Sequence, residues 1–182
     1  MVTQRGASST VQGTPNDLRI LSSAHLGQGP WAALSEFEFG LIVAGNAFGR
    51  WVVRCMAAAG MPDLTLTDVL VLHHVHHRGK PKKLADVCFT LNYEDSHVVN
   101  YALKKLRGLG LLHATKQGKE VFYSTTERAR VLVEKYQQVR DRCLLPGLDA
   151  QAGDAEQLAH TAQLLRSLSG LYDQAARAAT SL

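Results

Sequence analysis

The stretch whose reading decides the fold runs from Asp95 to Leu106, DSHVVNYALKKL, and continues through Gly108–Thr126, GLGLLHATKQGKEVFYSTT. At about 100° per residue, Val99, Ala102, Leu103 and Leu106 share one side of a helix, while His97, Asn100, Tyr101 and Lys104 share the other. Asp95 is a good N-cap for it. One side can pack and the other can touch something. The outward set holds an amide that can pair bidentately with adenine, an imidazole and a phenol for base edges or phosphates, and an ammonium for the phosphate backbone. In isolation such residues read more readily as a solvated helix face; the residues on their C-terminal side reverse that. Gly108 and Gly110 end the helix. LLHAT and VFYST, on either side of a polar turn from Lys116 to Lys119, have the composition of a β-hairpin.

Upstream lie two more helices. Thr65, with Asp68 three residues on, announces one that continues through LTDVLVLHHVHHR to Gly79 with Val69, Leu72 and Val75 inward. A short amphipathic helix from about Lys82 to Phe89 carries Leu84, Ala85 and Cys88, and a connection from Thr90 to Glu94 leads to the Asp95 helix. Two short helices joined by a turn form a helix-turn-helix, and the added hairpin makes a winged helix. The expected fold class is therefore mainly α with a small β-hairpin wing. Lys116 and Lys119 stand at the wing tip, where a minor groove or a phosphate could be reached. The expected DNA-binding residues are Ser96, His97, Asn100, Tyr101, Lys104, Lys105, Lys116, Lys119 and Arg128. Charge agrees with this. Of a net +4, residues 61–130 carry 11 basic against 7 acidic groups, residues 1–60 carry 4 against 3, and residues 131–182 carry 5 against 6.

The sequence resembles the MarR family of bacterial transcription regulators. The resemblance rests on Leu64 and Thr65 followed by Val71 and Leu72, on Leu84 and Ala85, on a reading helix ending in KKL, on Gly110–Leu112, and on STTERA at Ser124–Ala129. Three features depart from the family pattern. The wing tip reads KQGKE where an Asp and an Arg two residues apart are usual, NYED precedes the reading helix, and Ala129 stands where a Gly is usual. The wing KEVFYS is also similar to that of ArsR-like regulators. The MarR resemblance implies that one helix before the motif block and two after it build a dimerisation domain. It also implies a small-molecule effector in the cleft between that domain and the winged helix.

The flanking residues fit that division. Residues 1–30, rich in Ser, Thr, Gly and Gln, read as a flexible tail without an assigned role. Residues 34–60 read as a dimerisation helix opened by a Ser35–Glu38 capping box and a Leu34–Phe39 staple. Its stripe is Phe37, Leu41, Ala44, Phe48, Trp51 or Val52, and Cys55, and Gly60 with Pro62 stops it. Residues 131–182 read as the C-terminal dimerisation helices, beyond the winged helix of residues 61–130. One helix runs from Thr126 to about Cys143 with Val133, Tyr136 and Val139 inward, ended by Leu145-Pro146-Gly147. The last is capped by Asp154 with Gln157 and runs to about Ala179. Its stripe of Leu158, Leu165, Leu168, Tyr172, Ala175 and Ala179 is long for a helix with little chain left to pack on, which points to a homodimer. Two-fold symmetry would set two reading helices about 34 Å apart on double-stranded DNA, matching a pseudo-palindromic operator.

Several classes are disfavoured. The longest apolar helix candidate is broken by Asn46, Arg50 and Arg54, so no membrane span is expected and the cytoplasm is the expected location. Cys55, Cys88 and Cys143 form no CxxC pair and read as buried small hydrophobes. His73 and His77 stand one turn apart with His76 near them. They read first as structural or solvent-facing, next, with Trp51, as contacts for a small ligand, and last as metal ligands, since no further ligand cluster completes a site. No nucleophile–base pair, glycine-rich phosphate loop or paired carboxylates point to an enzyme, and no cofactor is expected. The competing function class is a winged helix used as a protein-interaction or assembly module, with the basic face serving only as soluble surface.

Overall fold

A computed structural model describes residues 31–151 and 155–182. The expected tail of residues 1–30 and the expected cap Asp154 lie outside the described residues. Backbone contacts divide the chain into two compact units, residues 1–49 and residues 50–182.

The first helix, α1, spans Ala32–Ala58. Ser35 therefore sits inside the helix and is not its N-cap, a correction to the expected capping box. In the first unit Leu34, Leu41, Ile42, Val43 and Phe48 are exposed, whereas Val52, Cys55 and Met56, further along the helix, are buried in the second unit.

The second unit is built around the winged helix. Helix α2 (Leu66–His76) has the expected N-cap: Asp68 N–H donates to Thr65 Oγ1 at 3.3 Å, and Thr65 N–H donates to Asp68 Oδ2 at 2.8 Å. A single 3-10 turn (His77–Gly79) follows, in which Arg78 and Gly79 take positive φ. Strand β1 is only Lys82–Lys83. Helix α3 then runs Leu84–Leu91, two residues later than the expected start at Lys82, because those two lysines pair with the wing. Its inward side chain is Val87, with Leu84, Cys88 and Leu91 partly buried, while Ala85 is exposed, contrary to the expected face.

The NYED insertion has a defined structure. Asn92 adopts the left-handed conformation, and Tyr93 N–H to Cys88 O with Asn92 N–H to Phe89 O forms the bond pair of a Schellman turn. Tyr93 packs on the core and its hydroxyl meets Thr67 Oγ1 of α2 at 3.0 Å. Helix α4 (Ser96–Gly108) begins directly after, with Asp95 Oδ1 accepting from His97 N–H at 2.8 Å. Gly110, at φ +69°, ends it through Leu111 N–H to Leu106 O and Gly110 N–H to Arg107 O.

The wing is β2 (Leu112–Gln117) and β3 (Glu120–Thr125), paired antiparallel with Gln117 opposite Glu120 and Gly118–Lys119 as the two-residue turn. Gly118 has φ +63°, which only glycine adopts at little cost in such a turn. The sheet has three strands in the order β1-β3-β2, one more than the expected hairpin. Helix α5 (Glu127–Cys143) is capped by Thr126, whose hydroxyl accepts from Ala129 N–H. Leu145-Pro146-Gly147 does not simply end α5; it opens a further short helix, α6 (Leu145–Gln151), since proline is tolerated in a first turn. The last helix, α7, spans Ala155–Ala179.

Met56, Val69, Leu72, Val87, Val99, Leu103, Leu106, Leu111, Ala129 and Leu132 form the centre of one core that joins α1, α2, α3, α4 and α5. Each fully buried Val or Leu contributes roughly 1.5–3 kcal/mol. The three α4 members of that set fix which side of α4 faces the core.

Candidate nucleic-acid interface

Helix α4 is sorted by depth as its periodicity requires. Val99, Ala102, Leu103 and Leu106 are buried, and His97, Tyr101 and Lys104 form the ridge farthest from them, with Tyr101 72% exposed. Ser96 is exposed in the first turn. Asn100 differs from the sequence expectation of a residue pointing out from the middle. It is half-buried on the flank of α4 and borders a recess of about 400 Å³ with Leu84, Ala85, Val121 and Tyr123. The outermost imidazole, phenol and ammonium are thus His97, Tyr101 and Lys104, and Asn100 is turned toward the wing side of the helix.

The two adjacent lysines of KKL have separate situations. Lys104 is exposed, whereas Lys105 Nζ lies 2.7 Å from Asp68 Oδ2 and donates to the Asp63 carbonyl at 2.8 Å. Asp68 is 2% exposed, and Lys105 neutralises the carboxylate that also completes the α2 cap. Lys105, expected among the DNA-binding residues, is thus held as a clamp between α4 and α2. Arg128 is exposed but donates from Nη1 to the Leu109 carbonyl at 2.9 Å, tying the start of α5 to the end of α4. Arg130 pairs with Glu127 and, at 3.9 Å, with Glu134.

On the wing, Lys116 and Lys119 are both exposed. Lys83 is a contributor that the sequence reading missed. Its ammonium pairs with Glu120 at 2.7 Å and lies 5.3 Å from the centre of the Phe122 ring. The hydrogen bond to Glu120 holds the Lys83 pKa above its ordinary value. Lys83 thereby offsets the one carboxylate next to Lys119 and fastens the wing to the start of α3. A two-residue strand is too short to show alternation, which is why Lys82 and Lys83 read as the start of a helix.

The candidate ligand residues do not share one environment. His73 packs edge-on against Tyr136 of α5, ring centres 4.5 Å apart, Trp51 is half-buried beside the core, and His77 is exposed in the 3-10 turn. Burial lowers the pKa of His73, aided by His76, and pushes the Tyr136 phenol up to about 12. Among the described residues no group of three or more His, Cys, Asp or Glu side chains is placed to hold a metal ion. No described helix is long and apolar enough to cross a membrane.

Residues 64–129 match the sequence model of the winged helix DNA-binding domain family. No curated protein matches the sequence. Among solved structures, the chain is similar to a MarR family regulator from Neisseria meningitidis, at 14% identity and a TM-score of 0.62, over 79% of this chain and 95% of that one. It is similar to CouR from Rhodococcus jostii, solved bound to p-coumaroyl-CoA, at 17% identity and a TM-score of 0.61, over 72% and 90% of the two chains. It is also similar to Bordetella bronchiseptica BpsR, whose DNA binding is regulated by 6-hydroxynicotinic acid, at 20% identity and a TM-score of 0.52, over 70% and 91%. Residues 64–129, the stretch that matches the family model, fold as a winged helix. The chain that carries it has the fold of the MarR-family regulators, as its motifs suggested.

Proposed function

We propose that this protein is a sequence-specific DNA-binding transcription regulator that works as a homodimer and responds to a small organic effector. The observation that carries the reading is the division of α4: four apolar side chains buried in the core and His97, Tyr101 and Lys104 presented to solvent from a winged helix. His97 and Tyr101, with Ser96 and Asn100 beside them, read base edges, while Lys104, Lys116 and Lys119 contact phosphates. Arg128 adds a guanidinium whose remaining N–H groups can reach a phosphate beyond its bond to Leu109.

Dimerisation is assigned to residues 34–60 and 131–182. Supporting it, α7 leaves Leu158, Leu164, Leu165 and Leu171 exposed, and the first part of α1 leaves Leu41, Ile42, Val43 and Phe48 exposed. The effector reading is supported by the ligands of two neighbours of the same fold, CouR with p-coumaroyl-CoA and BpsR with 6-hydroxynicotinic acid. A non-catalytic role and a cytoplasmic location belong to the same reading.

The test is retention of genomic fragments by the purified protein in the presence of excess random duplex, followed by a salt titration on a retained fragment. A discrete retained set is expected, and Lys119→Ala should flatten the slope of log affinity against log salt by roughly 0.9. Equal retention of all fragments, with an unchanged slope, would favour the interaction-module reading.

A further inference from the structure

Helix α2 carries an unusual run, HHVHH from His73 to His77. Three of its ring nitrogens, His73 Nε2, His74 Nε2 and His76 Nδ1, are buried without a hydrogen-bond partner among the described residues. A neutral imidazole tolerates a bare acceptor nitrogen, because the lone pair alone goes unsatisfied. Protonation would replace it with a charged donor that has nothing to donate to, at the cost of burying an unpaired cation.

The surroundings offer no relief. His73 lies edge-on to the Tyr136 ring, His76 is its nearest titratable neighbour on α2, and Cys55 of α1 donates its thiol to the Tyr136 carbonyl at 3.5 Å. Arg140 of α5, one turn beyond Tyr136, brings a positive charge toward the Cys55 and Tyr136 pair. On the other side of α2, His74 faces Lys82 of β1, His77, and Asp86 of α3, the single carboxylate in the set. Beside His74 one lysine stands against one carboxylate, and beside His73 the neighbouring titratable group is another imidazole, His76.

We infer that the histidine run is an acid-sensitive latch: with His73 and His74 neutral, α2 packs on α5 and on the β1–α3 start, and protonation releases those contacts. The two contacts are consequential because α5 leads out of the wing toward the C-terminal helices, and β1 fastens the wing through Lys83. Burial first, then neighbouring cationic groups, lowers the folded-state pKa of both rings. The native state therefore binds fewer protons than the unfolded chain below the ordinary histidine value of about 6.5. The latch contributes its full stability above that value and loses it as pH falls from about 6.5 through the folded pKa.

The experiment uses the full chain in two measurements. Side-chain carbon–proton NMR follows the imidazoles from pH 8 to pH 4.5, and urea unfolding is recorded across the same range for the wild type, for His73→Phe and for His74→Gln. DNA affinity is not the readout, because it would mix the latch with the direct contacts made by α4. His73 and His74 are expected to titrate below the ordinary value. The wild-type urea midpoint should fall on the acid side, by a tenfold loss in folding constant for each unit of pKa gap. His73→Phe keeps a ring against Tyr136 and should lose part of that acid dependence. Titration of both rings at or above the ordinary value overturns the inference even where a variant fails to fold. So does an acid limb that is the same in the wild type and in the folded variants.

Discussion

Replacing Lys105 separates two roles that adjacent lysines of the reading helix could share. In the structure the Lys105 ammonium is 2.7 Å from Asp68 Oδ2 and 2.8 Å from the Asp63 carbonyl, while Asp68 is almost wholly buried. Removing one partner of a buried ion pair leaves an uncompensated charge, which costs about 3–5 kcal/mol when both partners are fully enclosed. Lys105 keeps a 27% exposed side chain, so solvent screens part of that cost. Asp68 also retains the N–H bonds of its cap. We therefore expect Lys105→Ala to lower stability by roughly 2–3 kcal/mol, seen as a lower urea midpoint with an unchanged slope. The same variant should leave the salt dependence of DNA binding as it was, measured where it remains folded. Lys104→Ala should do the reverse, with stability unchanged and the salt slope flatter by roughly 0.9. If Lys105→Ala held its urea midpoint and flattened the salt slope, the clamp would be wrong and Lys105 would belong to the DNA face.

Three further outcomes rest on the same geometry. Tyr101→Ala or His97→Ala should each cost about 1–3 kcal/mol on a specific site and much less on random duplex. Asn100→Ala, on the flank, should cost less than either in the same filter-binding series. Leu171→Glu, at a position 60% exposed in the single chain, should shift sedimentation from dimer toward monomer without lowering the unfolding midpoint of the monomer. Thr126→Ala removes the α5 cap and the hydroxyl donor to the Gly110 carbonyl at 2.9 Å, and should cost roughly 1–2 kcal/mol in urea unfolding.

Much of this architecture was legible because strong local rules set it. The Thr65 and Asp95 caps, the burial of Val99, Ala102, Leu103 and Leu106, and the turn at Gly118 each depend on chemistry within a few residues, and each stands where the sequence put it. Two of the departures have a common cause in distance along the chain. Lys82 and Lys83 read as a helix start because their strand partners, Tyr123 and Phe122, lie about forty residues on. The ion pair of Lys105 went unseen because Asp68 lies 37 residues back, and nothing in KKL distinguishes a lysine facing solvent from one facing a buried carboxylate. Ser35 had the spacing of a capping box, yet the helix extends past it to Ala32, since a cap pattern marks a place where a helix can begin and does not oblige it to.

The flank position of Asn100 shows how finely the face of a reading helix is divided. Measured from the centre of the buried stripe, residues 97, 101 and 104 lie within about 50° of the opposite direction, whereas residue 100 lies nearer to a right angle. A reading that sorts a helix into two halves puts all four together. The packing sorts them into a ridge and a shoulder, and the shoulder lies against Leu84, Val121 and Tyr123 at the junction of α3 with the wing. That junction is where Lys83 binds Glu120. A side chain there senses how the wing sits on the helix as well as what lies in the groove. Substitutions at Asn100 should therefore couple, in double-mutant cycles, to Lys83→Ala and not to Lys104→Ala.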